Sequence, residues 1–324
     1  MYKIQFNFGL SESLPDNLLD GYKMGRYGED KSLDDVQSAL LLHHTLIDYI
    51  KKSGKYILAK DITGIVKGIL LFRKSEWDTD HFGYNVGVID YLITVQEKDF
   101  VKTEIASTLL NSFDNWSKEQ QIKFVSTKIP SLDLAVLHAV EKSGFGYIEN
   151  WIYNHYDIRH LKKEEKSLLK IRFGVPSDEE FMIKYSKGAF ATHRFHADLK
   201  IDANKADLLY EKWIRTAFLD PNQEIAVYDY EGVPTAFMIY YKHDLSNYFN
   251  LKFAMWKMGF VNPALGQRGI GYEFVRSLFQ FHADQNLDII DSGLSIRNIP
   301  SVNWHNKLNF KITSTLVTFH KWYS

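Results

Sequence analysis

The pattern of apolar and polar positions changes most clearly between residues 253 and 282. Phe253–Val261 is an almost continuous apolar and aromatic run, which is typical of a buried strand. The stretch Phe260–Tyr272 follows and contains Gly269 and Gly271. Apolar side chains then recur at the spacing of a helix, at Phe274, Val275, Leu278, Phe279 and His282. The pattern therefore predicts a strand, a short glycine-bearing turn and a helix.

The predicted turn has the chemistry of an anion site. Backbone N–H groups in the first turn of a helix lack helical partners, and the helix dipole favours negative charge there, so such a turn binds phosphate oxygens. Gly269 and Gly271 let the backbone approach an anion closely. Ile270 adds a further N–H group, and Arg268 adds positive charge. No Gly-Lys-Ser/Thr follows, and the third glycine of a dinucleotide fingerprint is missing.

The first half of the chain alternates between helical and strand-like periods. Its predicted helices are Leu33–Ser53, Thr103–Lys118 and Ser131–Lys142. Its predicted strands are Tyr56–Asp61, Ile65–Arg73, Val86–Val95 and Phe124–Ile129. Trp77–Gly83 lies between the second and third of these strands. This order indicates helices packed on one sheet, an α/β or α+β layer.

The second half shows the same mixture of elements. Ser177 is a predicted helix cap with Glu180 at the capping-box position, and a longer helix is predicted at Ala203–Ala217. The predicted strands are Lys170–Val175, Glu224–Tyr228, Thr235–Tyr241 and Phe253–Val261. The second and third of them flank a turn at Glu231 and Gly232.

The two halves match at a single offset. A shift of 165 residues superposes Asp133 on Asn298, Lys142 on Lys307, Phe145 on Phe310, and Thr103–Ala106 on Arg268–Gly271. One offset for two predicted helices favours a duplicated fold, although two α/β layers could share such a helix without duplication. In the first copy Glu104 stands where the second has Gly269. The first copy therefore places a negative charge where an anion would bind.

Length and local composition predict two domains. The chain has 324 residues, which is long for one compact domain. Arg159–Lys166 is a run of mixed charges with little apolar content, which is typical of a solvated connector. We therefore expect a first domain at residues 1–162 and a second at residues 163–324.

Charge and cysteine content narrow the function classes. Lys and Arg number 39, Asp and Glu number 40, and the net charge of −1 argues against a nucleic-acid partner. There are no cysteines, which excludes disulfides, a cysteine nucleophile and a thiolate metal site. The sequence contains no apolar run of membrane-spanning length and no basic-then-apolar signal at residues 1–14. We expect a cytoplasmic protein without membrane insertion.

A later block connects the turn to a known family. Asn298–Phe310 resembles the last conserved block of the Gcn5-related N-acetyltransferases (GNAT), in which an Asn opens a helix that ends near Gly-Phe. With the turn at Gly269 it resembles the acetyl-CoA site of that superfamily. The resemblance implies two tandem GNAT-like domains, each a mixed, mostly antiparallel sheet flanked by helices. It implies acyl-CoA as co-substrate, held in the second domain by Phe260, Val261, Arg268, Gly269, Ile270, Gly271, Tyr272 and Asn298.

Three further segments resemble one bacterial subgroup of the superfamily. They are Trp77–Gly83, Arg194–Asp198 together with Leu209–Ile214, and His320–Trp322. The subgroup acylates the free amine of dTDP-linked amino-dideoxy sugars, with acetyl or 3-hydroxybutyryl as the acyl group. The resemblance implies an N-acyltransferase acting on a nucleotide sugar for bacterial surface polysaccharide synthesis. It does not decide the acyl group or the sugar.

Departures from the family pattern affect the turn and the catalytic acid. Gly266 stands where the family's loop usually opens with Gln or Arg, a charge that Arg268 could supply. His305 stands where a Tyr usually protonates the leaving thiolate. A protonated fraction of a histidine exists near neutral pH, so His305 could donate that proton. Equally, it could be a polar lining residue while the thiolate leaves unassisted.

The acceptor side has several candidate residues. His196 is the candidate general base, and His193, Asp198 and, from the first half, His81 are alternatives for that role. Arg194 suits the substrate diphosphate through paired hydrogen bonds, or else a structural salt bridge. The remaining substrate-binding candidates are His193, Trp77, His81, Phe82 and Tyr84. For each histidine a packed, hydrogen-bonded role is the simpler interpretation, and aromatic residues beside a glycine are more often core.

Two alternative functions stay open beside the acyltransferase. We expect no metal, because no third ligand stands at a suitable spacing near His193 and His196. A non-catalytic acyl-CoA-binding regulatory protein would explain the changes at Gly266 and His305. A tRNA-dependent peptidyltransferase also carries two such domains but usually lacks the glycine loop and has a helical arm. A homodimer would look the same at this level as a monomer.

Overall fold

A computed structural model of the chain describes residues 2–8, 18, 33, 37, 41, 45–50, 55–161, 169–246, 250–263 and 269–324. Most of the predicted helix Leu33–Ser53, most of the predicted connector and the loop residues 264–268 lie outside this set. Gly266 and Arg268, two residues of the predicted anion turn, are therefore outside the described residues.

The described chain forms two compact units. The first comprises Met1–Ile152 and Thr313–Ser324, and the second comprises Tyr153–Ile312. The boundary lies inside one long strand, ten residues before the division expected at residues 162 and 163. The last twelve residues belong to the first unit, although they lie in the second half of the sequence.

The first unit is a mixed, mostly antiparallel sheet. Its strands are β1 (Lys3–Phe8), β2 (Lys55–Lys60), β3 (Val66–Lys74), β4 (Val86–Thr94), β5 (Phe124–Pro130), the first part of β6 (Gly146–Asp157), and β12 (Lys311–Trp322). They lie in the order β1-β2-β3-β4-β5-β12-β6. β4 and β5 pair in parallel, whereas β1 with β2, β2 with β3, β3 with β4 and β5 with β12 pair antiparallel. The predicted strands of the first half all form.

Three helices of the first unit have complete bounds. They are α1 (Glu76–Phe82), α2 (Asp99–Glu119) and α3 (Leu134–Lys142). The segment beginning at Trp77 is thus a short helix, capped by the Ser75 hydroxyl and ended by Gly83 in the left-handed conformation at φ 76°. The apolar stripe of α2 packs on the sheet as its spacing predicts, with Ile105, Leu109 and Phe113 fully buried.

The C-terminal strand β12 completes the first unit. It pairs antiparallel with β5, from Leu316 opposite Pro130 to Trp322 opposite Phe124. Lys321 Nζ and the Tyr323 hydroxyl both donate to the Asp114 carboxylate on α2. These pairings attach the C-terminal residues to β5 and α2 of the first unit.

The second unit has the same kind of sheet. Its strands are the end of β6, β7 (Ile171–Phe173), β8 (Gln223–Tyr230), β9 (Val233–Asp244), β10 (Lys252–Val261) and β11 (Ile289–Ser295), and its helices are α4 (Glu179–Ser186), α5 (Arg194–Ala197), α6 (Ala203–Leu219), α7 (Ile270–Ala283) and α8 (Ile299–Lys307). The order is β6-β11-β10-β9-β8-β7, and β10 and β11 form a parallel pair. The strand Phe253–Val261 and the helix after it form as predicted.

The two units repeat one another in detail. Helix α3 of the first unit and helix α8 of the second both begin after an Asx cap. Asp133 and Asn298 each accept the backbone N–H three residues later. In both, the second strand of the antiparallel hairpin carries a one-residue bulge, at Asp90 in β4 and at Lys257 in β10. This supports the duplication that the 165-residue offset predicts.

The units differ where the anion turn is predicted. The helix α2 already begins at Asp99, so the positions that match residues 264–269 are helical in the first unit. Lys102 on α2 is buried and donates to the Asp133 carboxylate at the start of α3, over 2.7 Å. Thr103 Oγ1 donates to the Ala135 carbonyl. The two helices are therefore fastened to each other at this end.

Candidate active site

Strands β10 and β11 separate after a short parallel ladder. Their recorded pairs run from Phe253 opposite Ile289 to Met255 opposite Asp291. Beyond Met255, β10 continues to Val261 while still paired with β9 on its other edge. The bulge at Lys257 bends β10 at the point where the strands part. The edge of β10 that faces away from β9 thus has backbone groups without a ladder partner in β11.

Helix α7 begins beside the end of β10 with an open N-terminus. Gly269 is its N-cap at φ 101°, and no side chain among the described residues caps this helix end. The first recorded helical bond near the cap is Glu273 N–H to the Gly269 carbonyl, at 3.0 Å. The N–H groups of Ile270, Gly271 and Tyr272 precede it and have no helical acceptor. A Cβ added at Gly269 would meet nothing within 4 Å, so the space before the helix is open within the described structure.

A lysine that the sequence reasoning did not assign lies at this helix end. Lys307 Nζ stands 4.3 Å from the centre of the Tyr272 ring. Lys307 is in the last turn of α8 and its side chain is exposed. The cation–π contact brings a positive charge to the N-terminal turn of α7. In the sequence, Lys307 is marked only by its match to Lys142 in the repeat. That match does not predict a contact between Lys307 and Tyr272.

Three predicted cofactor residues already have structural contacts in or beside β10 and α8. Phe260 is 8% exposed, and its ring packs 5.6 Å from that of Phe237. Val261 lies 3.8 Å from the place where a Cβ at Gly271 would be. Asn298 caps α8 by accepting the Ser301 N–H at 3.3 Å, so part of its polar capacity holds the helix. Their role toward acyl-CoA stays a prediction.

His305 lies on α8 and faces β11. Its Nδ1 is 2.8 Å from the Ser301 carbonyl, which only accepts, so Nδ1 carries the proton. Its Nε2 is 2.9 Å from the Ser292 hydroxyl and accepts a hydrogen bond from it. The side chain is 4% exposed and stacks on Trp304 at 3.8 Å. Both ring nitrogens are therefore used within the unit.

Burial changes the expected protonation of His305. Desolvation lowers its pKa to about 4, although the hydrogen bond to the Ser301 carbonyl raises it in part. The protonated fraction expected near neutral pH is thus very small. In the neutral ring the one proton is directed at Ser301. Whether His305 donates a proton to the thiolate or only lines the site stays a prediction.

The buried imidazole predicts a loss of stability in acid. An unfolded histidine binds a proton near pH 6.5 and folded His305 only near pH 4, so the unfolded state binds more protons between these values and stability falls as the pH falls. We expect the wild type to be destabilised by roughly 2 kcal/mol more than His305→Gln between pH 7 and pH 5. Urea unfolding at both pH values measures this difference.

His138 provides the matched control for this experiment. Its side chain is 61% exposed and it pairs only with Glu141 on the surface of α3. His138→Gln should leave the pH dependence of the wild type unchanged. Equal pH dependence in wild type and His305→Gln would contradict the assignment of a buried neutral ring.

The structure places His196 against Asp207. Nε2 of His196 on α5 is 3.0 Å from Asp207 Oδ1 on α6. The His196 ring lies nearly parallel to Tyr210, at 19° and 5.9 Å. His193, the N-cap of α5, contacts the same Tyr210 edge-on at 5.6 Å. The sequence reasoning did not pair Asp207 with His196, because the two residues are eleven positions apart and lie on different helices.

Arg194 opens α5 and is not used in an ion pair within the described residues. Its guanidinium lies 4.6 Å above the Phe195 ring, and its Nε is buried without a hydrogen-bond partner there. The expectation of a structural salt bridge is therefore not met in the described part of the chain. The guanidinium keeps its capacity to bind an anion.

The four aromatic candidates of the first half belong to the first unit. Phe82 is 1% exposed and packs against Phe124 at 6.4 Å, so it is a core residue there rather than a lining residue. Trp77 and His81 stack one turn apart on α1 at 6.2 Å, and both are half-buried. Tyr84 is half-buried against Trp322 of β12 at 5.7 Å. The substrate-binding role of Trp77, His81 and Tyr84 stays a prediction.

The described residues contain neither a metal cluster nor a membrane-spanning helix. No group of three His, Asp or Glu residues that could hold a metal ion is found among them. No helix within the described ranges is both long and apolar enough to cross a bilayer.

Comparison with known proteins identifies the fold. No protein-family model and no curated protein matches the sequence. A GCN5-related N-acetyltransferase from Sphaerobacter thermophilus matches with a TM-score of 0.60 at 11% identity, over 95% of this chain and 92% of that chain. A tandem GNAT protein from the clavulanic acid biosynthesis pathway matches with a TM-score of 0.54 at 9% identity, over 99% of this chain and 98% of that one.

A third solved structure is part of a larger protein. It is a GCN5-related glucosamine N-acetyltransferase region of a fungal multi-domain GH3 β-N-acetylglucosaminidase, with a TM-score of 0.61 at 13% identity. It covers 99% of this chain, which spans 38% of the length of that chain. At these identities the likeness concerns the fold. The chain has a tandem, two-domain GNAT fold, as the sequence resemblance implies.

Proposed function

We propose that the second unit binds acyl-CoA and transfers its acyl group to an amine. One observation carries the proposal: α7 opens with an uncapped left-handed Gly269 directly beside a strand, β10, whose outer edge is freed from β11. A diphosphate binds at such a helix end through the N–H groups of Ile270, Gly271 and Tyr272. Lys307 adds a charge there.

The first unit is not proposed to bind acyl-CoA in this way. The positions that match Ile270, Gly271 and Tyr272 lie inside its helix α2, which begins at Asp99. Residues 105–107 are in the interior of α2, where each N–H has an acceptor one turn earlier, and Lys102 and Asp133 connect α2 to α3 by an ion pair. Glu104, at the position of Gly269, would also repel a phosphate.

Positioning supplies much of the proposed catalysis. The freed edge of β10 would hold the pantetheine arm by strand-like hydrogen bonds, which orients the thioester carbonyl. A backbone N–H near Phe260 and Val261 would polarise that carbonyl as charge develops on its oxygen. The neutral amine then attacks the carbonyl carbon, the C–S bond breaks so that CoA leaves as the thiolate, and the amide nitrogen loses one proton to water. His305 is proposed to hold Ser292 and line the site, since its neutral ring offers no free proton to the sulfur.

The proposed acceptor is the amine of a dTDP-linked amino-dideoxy sugar, used in bacterial surface polysaccharide synthesis. The resemblance of Arg194–Asp198 and Leu209–Ile214 to the amino-sugar subgroup supports it. So does Arg194, whose guanidinium has no carboxylate partner within the described residues and suits a diphosphate. A structure of the same fold is described as a glucosamine N-acetyltransferase region, which is again an amino-sugar acceptor.

A free-thiol assay tests the proposed function. Acetyl-CoA and 3-hydroxybutyryl-CoA are each incubated with the protein and with a panel of dTDP-amino sugars. We expect thiol release that requires both substrates, and the preferred thioester names the acyl group. Binding of both thioesters without thiol release for any amine, including simple alkyl amines, would overturn the enzyme.

The second candidate is an acyl-CoA-binding regulatory protein. His305 favours it, because burial lowers the pKa of the ring and its Nδ1 proton is already donated to the Ser301 carbonyl, whereas the family position donates a proton to the thiolate. This candidate predicts tight acyl-CoA binding and no turnover, which the same assay would detect.

A further inference from the structure

The second unit contains a cavity whose lining residues do not include any residue of α7. It has a volume of about 190 Å³ and lies between α4, α6 and the segment that joins α4 to α5. A cavity of about 150 Å³ holds a benzene molecule, so this one has room for a single six-membered ring with small substituents. It does not have room for a nucleotide.

One wall of the cavity carries carboxylates. Asp207 and Glu211 both line it and stand one turn apart on α6. Glu211 is already paired with Arg215, at 2.9 Å. Asp207 has no lysine or arginine partner within the described residues, and its side chain is 31% exposed. Asp207 is therefore the carboxylate with capacity left for a cationic or donor group in the cavity.

His196 holds Asp207 from outside the cavity. Its Nε2 donates to Asp207 Oδ1 at 3.0 Å, while His196 itself is not among the lining residues. Only 11% of the His196 side chain is exposed, and Nδ1 is buried without a hydrogen-bond partner in the described chain. A ring that is packed against Tyr210 in this way fixes the carboxylate. His196 is thus placed to position Asp207, in contrast to the expectation of a base in contact with the substrate.

The remaining lining has an aromatic surface and one cation. Phe190 and Tyr210 stack at 4.5 Å with 15° between their planes. Both contribute to the lining, which suits the apolar face of a ring. Lys187, at the end of α4, also lines the cavity, is exposed and has no ion pair within the described residues. A ligand with an amine and an anionic group would satisfy both charges.

We propose that this cavity binds the ring of an amino sugar that carries an anionic substituent. Asp207 accepts hydrogen bonds from the amine, and Lys187 binds the anionic substituent, for example a phosphate on the sugar. The sugar ring lies against Phe190 and Tyr210. The inference rests on the proposed function, since it names the residues that would select the acceptor. It makes Asp207 a substrate-binding residue and His196 a positioning residue.

Direct binding to the full chain tests the assignment without any turnover. The probes are glucosamine 1-phosphate, glucose 1-phosphate, which lacks the amine, and glucosamine, which lacks the phosphate, each titrated by calorimetry. We expect Asp207→Asn to weaken glucosamine 1-phosphate roughly 10- to 100-fold and to leave glucose 1-phosphate unchanged. Lys187→Gln should weaken both phosphates roughly tenfold and spare glucosamine.

Matched surface variants separate these effects from changes of net charge. Glu180→Gln and Lys184→Gln alter exposed residues of α4 that do not line the cavity. They should bind all three probes like the wild type. Wild-type affinity in Asp207→Asn, or equal affinity of the wild type for glucose 1-phosphate and glucosamine 1-phosphate, would overturn the proposed site. Unchanged thermal unfolding of each variant shows that the fold is intact.

A conservative pair of variants tests the positioning role of His196. His196→Gln keeps a donor for Asp207 and His196→Ala does not, so we expect glutamine to restore the affinity that alanine loses. If glutamine binds glucosamine 1-phosphate as weakly as alanine, the positioning role is wrong. Acyl-CoA affinity is measured beside these titrations. Its absence would remove the proposed function, whereas acyl-CoA binding without amine-dependent probe binding would remove only the cavity assignment.

Discussion

Replacing Gly269 by Glu should reduce the affinity of the protein for acetyl-CoA about 100-fold or more, which corresponds to about 3 kcal/mol. Gly269 has φ 101°, a backbone conformation that glycine adopts readily and side-chain-bearing residues rarely do. The added carboxylate would also stand at the N–H groups of α7, where it competes with and repels the diphosphate. Isothermal titration of acetyl-CoA measures the change, and thiol release should be lost with it.

Gly232→Glu is the control for Gly269→Glu. Gly232 also has a positive φ, 79°, and a Cβ there would likewise meet nothing within 4 Å. It lies in the turn between β8 and β9, so the substitution adds the same strain and the same charge away from α7. We expect acetyl-CoA affinity close to that of the wild type. An equal loss in both variants, or no loss in Gly269→Glu, would contradict the placement of the diphosphate on α7.

Replacing Lys102 by Met should destabilise the first unit by about 3 kcal/mol or more. Lys102 is 5% exposed and its Nζ lies 2.7 Å from Asp133 Oδ1, whose side chain is 15% exposed. Removing one partner of such a pair leaves the other charge buried without compensation. Asp133 also caps α3, so the loss should extend to that helix. Hydrogen exchange of the α2 and α3 amides reports the stability of this region.

Two further variants decide whether the pairing causes the effect. The double variant Lys102→Met with Asp133→Asn removes both charges and keeps a cap, so we expect it to recover a large part of the lost stability. Lys67→Met removes a lysine whose nearest carboxylates are 3.8 and 3.9 Å away at the surface, and it should cost less than about 1 kcal/mol. A double variant as unstable as Lys102→Met would show that packing of the lysine stem, not the ion pair, is responsible.

Elements with a strong local signal were predictable from the sequence. The run Phe253–Val261 is apolar at nearly every position, and the strand formed as β10 with bounds within one residue. Asn298 precedes a helix because its side chain accepts the N–H three residues later, a local interaction that the sequence shows directly. The repeat at an offset of 165 residues predicted equivalent helices, and α3 and α8 match at both ends.

Three features of the fold were not predicted from the sequence: the strand β11, the helix α1 and the start of α2. The strand β11 contains Asp291 and Ser292, which are 0% and 5% exposed, so it lacks the apolar pattern of an interior strand. The helix α1 was missed because Trp77–Gly83 is short and only weakly periodic; its cap at Ser75 lies just before that segment. The start of α2 at Asp99, before the predicted Thr103, is fixed by contacts with α3 as well as by local propensity.

The sequence by itself determined the duplicated α/β fold and the position of the glycine turn, because apolar period and glycine placement are local properties of the chain. The tertiary structure decided which strand completes the first unit, since β12 finds its partner β5 about 190 residues earlier in the chain. It also decided the chemistry of the candidate site. Burial beside Ser292 lowers the pKa of His305, and His196 packs against Asp207 of a neighbouring helix. Burial and partnership depend on contacts between distant segments, which no local pattern records.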